Sequence, residues 1–231
     1  HILNIEPIAH IHTDFPTKFG VPRQSGLISD LKGTIIFEPH YRDPEAVKGL
    51  SGFNYIWLLW DFSMAHRKDW SATVCPPRLG GKTHVGVFAT RSPFRPNNIG
   101  LSSVRLESIE YSDKGPILHV SGIDMMDNTP IYDIKPYIAA YDAHNDAVDG
   151  FTDSIVDIDI KVEDPAGLIA ESMLSEDQQR ALIALLKEDP RPRFDAANDG
   201  SRKYGFYYCD YDVRFTVLGD ILTIVEMPKV R

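Results

Sequence analysis

Two arginines, Arg91 and Arg95, stand four residues apart in the segment GVFATRSPFRPNNIGLS, residues 86–102, which contains no acidic residue. Guanidinium groups donate paired hydrogen bonds that match the geometry of carboxylates and phosphates. Pro93 and Pro96 stiffen the backbone around them, so the donors keep a fixed direction. The composition of this segment, called here the arginine loop, predicts an anion-binding site, with Asn97 as a neighbouring polar group.

Further polar side chains occur in turn-rich stretches of the chain. An aspartate after a strand more often caps a turn than performs chemistry, because its carboxylate accepts hydrogen bonds from nearby backbone amides. Their combination with the arginine loop favours a binding site, since loops held rigidly on a sheet commonly carry functional groups. The candidates are Asp14, Arg23, Asn98, Asp124, Asp127, Asp133 and Lys135.

Histidine and cysteine give weaker signals. His10 and His12 would share one face of a strand, but no acidic or cysteine partner has suitable spacing, and we predict no metal. Cys75 and Cys209 are too few for a disulfide framework, and we predict that both are reduced. Cys75 has no adjacent base in the sequence, so it is inert unless the fold supplies one. The GxGxxG, GxxxxGKS/T, HExxH and GxSxG signatures are absent from the sequence.

The net charge of −9 is distributed unevenly along the chain. Residues 140–189 contain 13 acidic and three basic residues, which leaves the remainder of the chain at +1. Residues 70–106 contain five basic residues and no acidic one. A basic surface that binds nucleic acid is therefore compatible with an acidic protein, although surface arginines more often pair with acids from elsewhere in the chain.

Short apolar or alternating segments separated by Gly, Pro and Asn turns predict a mainly β first domain over residues 1–142. One short helix is expected over residues 43–50, because Asp43 can cap it and Pro44 fits its first turn. Long helices do not alternate with the strands, so a closed β-barrel is favoured over a doubly wound sheet. The expected strands cover residues 5–12, 33–37, 55–62, 85–90, 102–111, 117–123 and 131–137.

Residues 143–231 predict a linker followed by a small α+β domain. A strand is expected over residues 154–162, and a helix begins after Ser175, where Gln178 completes a capping box. That helix must end before Pro190. Strands near 204–209, 213–218 and 221–226 follow. Basic and aromatic residues interleave in this region, as in proteins that bind RNA; the basic ones are Arg191, Arg193, Arg202 and Lys203.

The chain resembles the TrmO, or TsaA-like, tRNA methyltransferases. The motifs that carry the resemblance are VPRQSGL (21–27), CPPRLGG (75–81), the arginine loop, DNTPIYDIKPY (127–137), DPRPRF (189–194) and DYDVRF (210–215). The resemblance implies a non-Rossmann β-barrel that binds S-adenosylmethionine near a homodimer interface, with a small C-terminal domain. It also implies methylation at N6 of the threonylcarbamoyl-modified adenosine at position 37 of tRNA.

The resemblance also assigns roles to individual residues. The cofactor positions that it implies are Pro22, Arg23, Gln24, Ser63, Met64, Arg91, Leu101, Ser121, Gly122, Ile123 and Asp124. For the transfer itself we predict Asn97 and Asp133 as acceptors that hold the target amine, with Asp124 or a main-chain carbonyl as alternatives. For RNA phosphates we predict Arg95, Arg191, Arg193 and Lys203.

Four residues depart from the family pattern. Ser63 and Met64 stand where many relatives carry His-Gln, and Asn98 stands where relatives often carry proline. Asn128 replaces the glycine of a DGTP turn, and asparagine tolerates the left-handed backbone that such a turn requires.

Two other functions are compatible with the residues: a cofactor-binding regulator without transfer activity, and a β-barrel RNA-binding module without cofactor. No apolar run approaches the roughly 20 residues that cross a bilayer, and no basic stretch precedes a hydrophobic one at the N-terminus. We therefore expect a cytoplasmic protein without a membrane partner. The aromatic run Tyr55, Trp57, Trp60 and Phe62 favours core packing or a subunit interface over base stacking.

Overall fold

The structure is a computed structural model of the 231-residue chain, and it describes residues 3–76, 79, 83–154, 159–191 and 197–230. The first eight strands are β1 Ala9–Thr13, β2 Lys32–Phe37, β3 Tyr55–Asp61, β4 Thr73–Val74, β5 Val85–Gly86, β6 Ile99–Ser112, β7 Gly115–Ser121 and β8 Thr129–Pro136. Six of them close into an antiparallel barrel in the order β1-β2-β7-β6-β3-β8. The strands β4 and β5 form a separate two-stranded ladder between β3 and β6. The predicted mainly β fold with a closed barrel is confirmed.

Alternation of side chains decides which face of each strand enters the barrel. In β3, Ile56, Leu58 and Trp60 are buried inside, while the intervening residues face outward. The pairing of β3 with β8 contains a bulge: Leu59 pairs with Asp133 and Trp60 pairs with Ile131, so Tyr132 is the extra residue. This irregularity lies beside the end of β3.

The C-terminal part combines a four-stranded sheet with short and long helices. Its strands are β9 Lys161–Glu163, β10 Tyr204–Tyr208, β11 Tyr211–Leu218 and β12 Ile221–Glu226, in the order β10-β11-β12-β9, with β9 parallel to β12. The α-helices are α1 Ala139–Asp142, α2 Leu168–Glu171 and α3 Glu176–Lys187. Shorter 3-10 turns cover Pro39–Tyr41, Pro44–Val47, Leu50–Gly52, Val87–Ala89 and Gly150–Ser154.

The helix α3 begins as predicted. The Ser175 hydroxyl accepts from the Gln178 amide, and the Gln178 side chain accepts from the Ser175 amide, which completes the capping box. Asp43 caps the turn at Pro44, but that turn is a 3-10 turn ending at Val47 and not the predicted helix over residues 43–50. Gly49, with φ of +84°, explains the early end, because this left-handed backbone cannot continue a helix.

Two strand predictions were too long. The first strand begins at Ala9 and not at residue 5, because its pairing with β2 and β8 begins only at Ala9. The strand predicted over residues 85–90 stops at Gly86, because β4 supplies only two partner residues and a 3-10 turn follows. In the strand predicted over 154–162, residues 155–158 lie outside the described residues, and β9 covers its end.

The C-terminal sheet and α3 pack directly against the barrel. The Phe15 ring lies 5.5 Å from the Tyr208 ring, and the Gln178 side chain donates to the Asp14 carboxylate at 3.2 Å. Gly20, with φ of +83°, approaches Phe206 so closely that a Cβ would overlap the ring. The loop that follows β1 is therefore held between the barrel and the C-terminal sheet. Within the described residues, no helix is both long and apolar enough to span a bilayer.

Candidate active site

A cavity of about 580 Å³ opens at one end of the barrel, a volume typical of small-molecule sites. Its walls come from the loop after β1, the end of β3 with the turn that follows it, the arginine loop, the start of β6 and the segment after β7. Nine residues predicted to bind cofactor or RNA line this cavity: Pro22, Arg23, Gln24, Ser63, Met64, Arg91, Arg95, Leu101 and Asp124.

Asp124 is a largely buried carboxylate in this cavity. Its Oδ1 accepts from the Ser102 hydroxyl at 2.7 Å, and the Ser102 oxygen accepts from the Trp60 indole N–H at 2.9 Å. Burial raises the pKa of Asp124 to about 6, against the opposing effects of the Ser102 hydroxyl, the Ser25 amide and the Arg91 charge. This chain of hydrogen bonds from the barrel interior fixes the direction of the carboxylate.

Two guanidinium groups face the same space. Arg91 donates to the side-chain carbonyl of Gln24, which joins the arginine loop to the VPRQSGL motif. Arg23 donates to the main-chain carbonyl of Glu188 at 3.3 Å and lies 3.7 Å from its carboxylate. Glu188 follows α3, so the VPRQSGL motif is tied to the C-terminal part of the chain.

The remaining polar residues of the arginine loop hold the loop itself. Arg95 donates to the carbonyl of Thr90 at 3.0 Å, which closes the turn around Pro93. The Asn98 amide donates to the carbonyls of Pro93 at 2.7 Å and Ala65 at 3.3 Å. Asn98, which departs from the family pattern, therefore links the arginine loop to the turn after β3.

Three predicted cofactor residues support the cavity without lining it. The Ser121 hydroxyl donates to Glu107 at 2.5 Å, and the Ile123 side chain is buried in the core. The Gly122 carbonyl accepts from the Gly26 amide at 2.8 Å. These contacts hold the VPRQSGL motif against the end of β7, next to Asp124.

The two residues predicted to be catalytic are not at the cavity. Asn97 is exposed on the arginine loop, and Asp133 is paired with Lys135 at 2.9 Å on β8. The β3–β8 pairing places Asp133 opposite Leu59, away from the cavity walls. The roles of Asn97 and Asp133 in the transfer therefore stay predictions. The register of each strand decides which side chains converge at the cavity, and the sequence does not state that register.

The residues predicted to bind RNA also differ in their positions and exposure. Arg95 lines the cavity, and Lys203 is half-exposed in a pair with Glu226 at 2.6 Å. The Arg191 side chain is only 1% exposed and forms an ion pair with Asp189 at 2.6 Å. Binding of an RNA phosphate by Arg191 stays a prediction and would require this pair to open. Arg193 lies outside the described residues.

The histidines and cysteines take up separate contacts. His10 pairs with Glu38 at 2.6 Å and His12 with Asp127 at 3.1 Å, and the described parts of the chain contain no group of three or more potential ligands that could hold a metal. Both cysteines are free thiols. The fold does bring a base to Cys75, since its sulfur lies 3.6 Å from His84 Nε2, but neither residue lines the cavity. Burial raises the pKa of Cys209, which keeps that thiol protonated.

Several cavity residues were missed by sequence reasoning. Asp61 lines the cavity at the end of β3 and contacts His66, and Lys18 contributes a cation from the loop after β1. Phe94 lies under the Arg67 guanidinium at 3.7 Å. An acid at the end of an apolar strand was a usable signal for Asp61. Nothing in the sequence placed Lys18 or Phe94 at this wall.

The residues at the cavity fit S-adenosylmethionine. Its amino acid portion carries both a carboxylate and an ammonium group, and the cavity presents guanidinium groups beside a carboxylate. Its adenosyl portion needs apolar walls with polar edges, which Pro22, Met64 and Leu101 provide together with Gln24.

The closed barrel, the cavity at its end and the attached C-terminal sheet define a class of β-barrel protein with a small-molecule site next to a second sheet. A crystal structure of TrmO from Pseudomonas aeruginosa matches the fold with a TM-score of 0.77 and 32% sequence identity, covering 99% of this chain and 98% of that one. The family model of the tRNA-methyltransferase O N-terminal domain matches residues 10–143, and that of the TrmO C-terminal domain matches residues 156–230. The chain belongs to the TrmO family.

Two curated relatives extend over nearly the whole chain. A protein of Escherichia coli named tRNA (adenine(37)-N6)-methyltransferase is 34% identical over 216 residues, which is 92% of both chains. A Pseudomonas aeruginosa protein named putative S-adenosylmethionine-dependent methyltransferase RcsF is 38% identical over 225 residues, or 92% of this chain and 91% of that protein.

Proposed function

We propose that this chain transfers the methyl group of S-adenosylmethionine to N6 of the threonylcarbamoyl-modified adenosine at position 37 of tRNA. The observation that carries the proposal is the convergence of Arg23, Gln24, Arg91 and Asp124 in one cavity, although they come from three separate segments. The names of the relatives from Escherichia coli and Pseudomonas aeruginosa support the cofactor, the base and the position.

The cavity residues would divide the cofactor among them. Arg23 or Arg91 would hold its carboxylate, and Asp124 would face its cationic groups or its hydroxyls. Met64 and Leu101 would cover its apolar surface, with Ser63 contributing main-chain contacts. When bound, S-adenosylmethionine supplies an activated methyl group on a positively charged sulfur.

The protein's own contribution is to align the amine and to remove a proton. The N6 amine of adenine is a weak nucleophile, because its lone pair is delocalised into the ring. A hydrogen-bond acceptor that holds the amine and takes its proton favours transfer. Of the acceptor side chains predicted from sequence, Asn97, Asp124 and Asp133, only Asp124 lines the cavity.

We also propose two domains, 1–142 and 143–231, that bind one tRNA together. Lys18 and Arg95 would meet phosphates at the cavity, and Lys203 would meet them on the C-terminal sheet, as its half-exposed ammonium group permits. A cytoplasmic homodimer is the assembly that we propose. Support for it comes from Met64 and Leu101, whose apolar side chains are 64% and 57% exposed at the cavity mouth.

The decisive experiment is methylation of tRNA isolated from cells with and without the threonylcarbamoyl modification, followed by mass analysis of the nucleosides. We expect a 14-dalton gain on the modified adenosine and none on tRNA that lacks the modification. S-adenosylmethionine binding by calorimetry without any transfer would indicate a regulator instead. Transfer to a different nucleoside would contradict the proposed substrate.

A further inference from the structure

Asp61 is a second carboxylate of the cavity. It is the last residue of β3, its side chain is only 12% exposed, and it lines the same space as Arg91 and Leu101. Its Oδ1 lies 2.7 Å from Nε2 of His66, whose side chain is 58% exposed to solvent. The carboxylate therefore connects the cavity to an imidazole that reaches the surface.

The bulge between β3 and β8 completes this arrangement. It leaves Tyr132 as an extra residue opposite the end of β3, and bulges near active sites commonly redirect a side chain. Burial and the charge of Asp61 raise the pKa of the Tyr132 hydroxyl. Tyr132 thus remains a protonated hydroxyl beside the carboxylate, which it helps to hold in position.

The two carboxylates of the cavity have different partners. Asp124 is held from the barrel interior by Ser102 and from the VPRQSGL motif by the Ser25 amide, and Arg91 lies nearby. Asp61 follows Trp60 and so faces outward from the barrel, towards the turn that carries His66. The charged and titratable groups that contact Asp61 or line the cavity with it are His66, Tyr132, Lys18, Arg23, Arg91, Arg95 and Asp124.

Because of this difference, Asp124 and Asp61 are suited to two separate tasks. A small cofactor can reach the inner carboxylate, whereas a base presented by a large RNA must enter from the outside. We propose that Asp61 accepts a hydrogen bond from the substrate amine and takes its proton during methyl transfer, with His66 passing that proton to solvent. The inference rests on the proposed methylation of an exocyclic amine.

The step is balanced as written. The bond between nitrogen and the methyl carbon forms while the bond between that carbon and sulfur breaks, and the electron pair of the broken bond stays on sulfur. The methylated nitrogen is then cationic and releases one proton. Asp61 receives the proton and passes it from its carboxyl group to Nε2 of His66, which releases its Nδ1 proton to water at the same time. Exchange of the imidazole protons with water then restores the starting tautomer. Tyr132 is a positioning residue, since it acts through Asp61.

The test compares Asp61→Asn, His66→Gln and Tyr132→Phe with the wild type on modified tRNA. A general base contributes about 10²- to 10⁴-fold, so we expect Asp61→Asn to lower kcat at least 100-fold. Calorimetric affinity for S-adenosylmethionine should stay unchanged. The pH profile of kcat should differ between His66→Gln and the wild type.

A matched control is available on the outer surface of the barrel. Glu110 lies 2.8 Å from Nε2 of His119, which reproduces the carboxylate–imidazole pair away from the cavity. Glu110→Gln should leave kcat and the pH profile unchanged. Independently of activity, the imidazole NMR signals of His66 should shift in Asp61→Asn and stay in place in Glu110→Gln.

The possible outcomes distinguish a failure of the proposed role of Asp61 from a failure of the proposed function. If the wild type transfers methyl groups and Asp61→Asn retains its kcat and pH profile, the role of Asp61 is wrong while the proposed function stands. If Asp61→Asn does not fold, an unchanged pH profile in the exposed variant His66→Gln overturns the relay. Absence of transfer by the folded wild type would overturn the proposed function and the relay together.

Discussion

At the scale of single residues, the cavity is organised around side chains whose partners are fixed before any ligand binds. Asp124 is the clearest case, because the Trp60 indole, the Ser102 hydroxyl and the Asp124 carboxylate form a continuous chain of hydrogen bonds. Such prior ordering lowers the entropic cost of binding a small cation. The pKa of Asp124 is also raised by its burial. The ionised form of this carboxylate therefore lowers the stability of the folded protein.

The cost can be measured from the pH dependence of unfolding. Because the pKa of Asp124 rises from 3.8 to about 6 on folding, its contribution to stability is complete below pH 3.8 and is lost as the pH rises through 6. The free energy of unfolding of Asp124→Asn minus that of the wild type should therefore increase by about 2–3 kcal/mol from pH 4 to pH 7. Urea unfolding of both proteins at each pH measures this difference. A difference that stays constant with pH would contradict the assignment of a raised pKa to Asp124.

At the scale of elements, the start of β6 shapes one wall of the cavity. Gly100 pairs with Trp60, and a Cβ at this position would overlap the indole ring that donates to Ser102. The glycine is required here for close approach and not for an unusual backbone angle. Packing between β3 and β6 thereby sets the position of the Asp124 network.

Replacing this glycine tests that role. Gly100→Ala should destabilise the protein by about 1–3 kcal/mol, because the indole ring must move to accommodate the methyl group. Gly86→Ala is the matched control, since a Cβ there meets no atom within 4 Å. Urea unfolding compares the two variants. Equal free energies of unfolding for the two variants would show that the indole ring can move without an energetic cost.

Local patterns predicted the elements better than they predicted the site. The capping box at Ser175 and the turn at Asn128, with φ of +61°, follow from residue types alone. The position of Asp133 does not, because it depends on the β3–β8 register. Arg191 is a related case: its partner Asp189 is only two residues away, but nothing in the sequence indicated that the ion pair is buried.

At the scale of the whole molecule, an acidic protein is proposed to bind a polyanion. The acidic residues concentrate between 140 and 189, whereas the cavity end of the barrel carries Lys18, Arg23, Arg91 and Arg95. Association with tRNA should therefore depend on this end of the molecule and not on net charge. Its salt dependence reports how many cations take part.

Lys18 provides a test of whether tRNA binds at the cavity end of the barrel. Lys18→Gln should reduce the slope of log K against log salt concentration by about 0.7–0.9, the value for one phosphate contact. Lys114→Gln is the control, because Lys114 lies in the turn after the 14-residue strand β6, at the opposite end of the barrel. Binding of modified tRNA over a range of salt concentrations measures both slopes. Identical slopes for the two variants would show that tRNA does not contact Lys18 at the cavity end of the barrel.

The hydrogen bonds of Asn98 have a consequence for how this cavity can change over evolutionary time. Its single side chain holds the carbonyls of Pro93 and Ala65, so the arginine loop and the turn after β3 share one anchor. Proline at this position has no side-chain donor and would release both carbonyls. Substitutions in the two segments are therefore expected to be inherited together, and a chimera that exchanges only one of them should lose cofactor affinity that the double exchange restores.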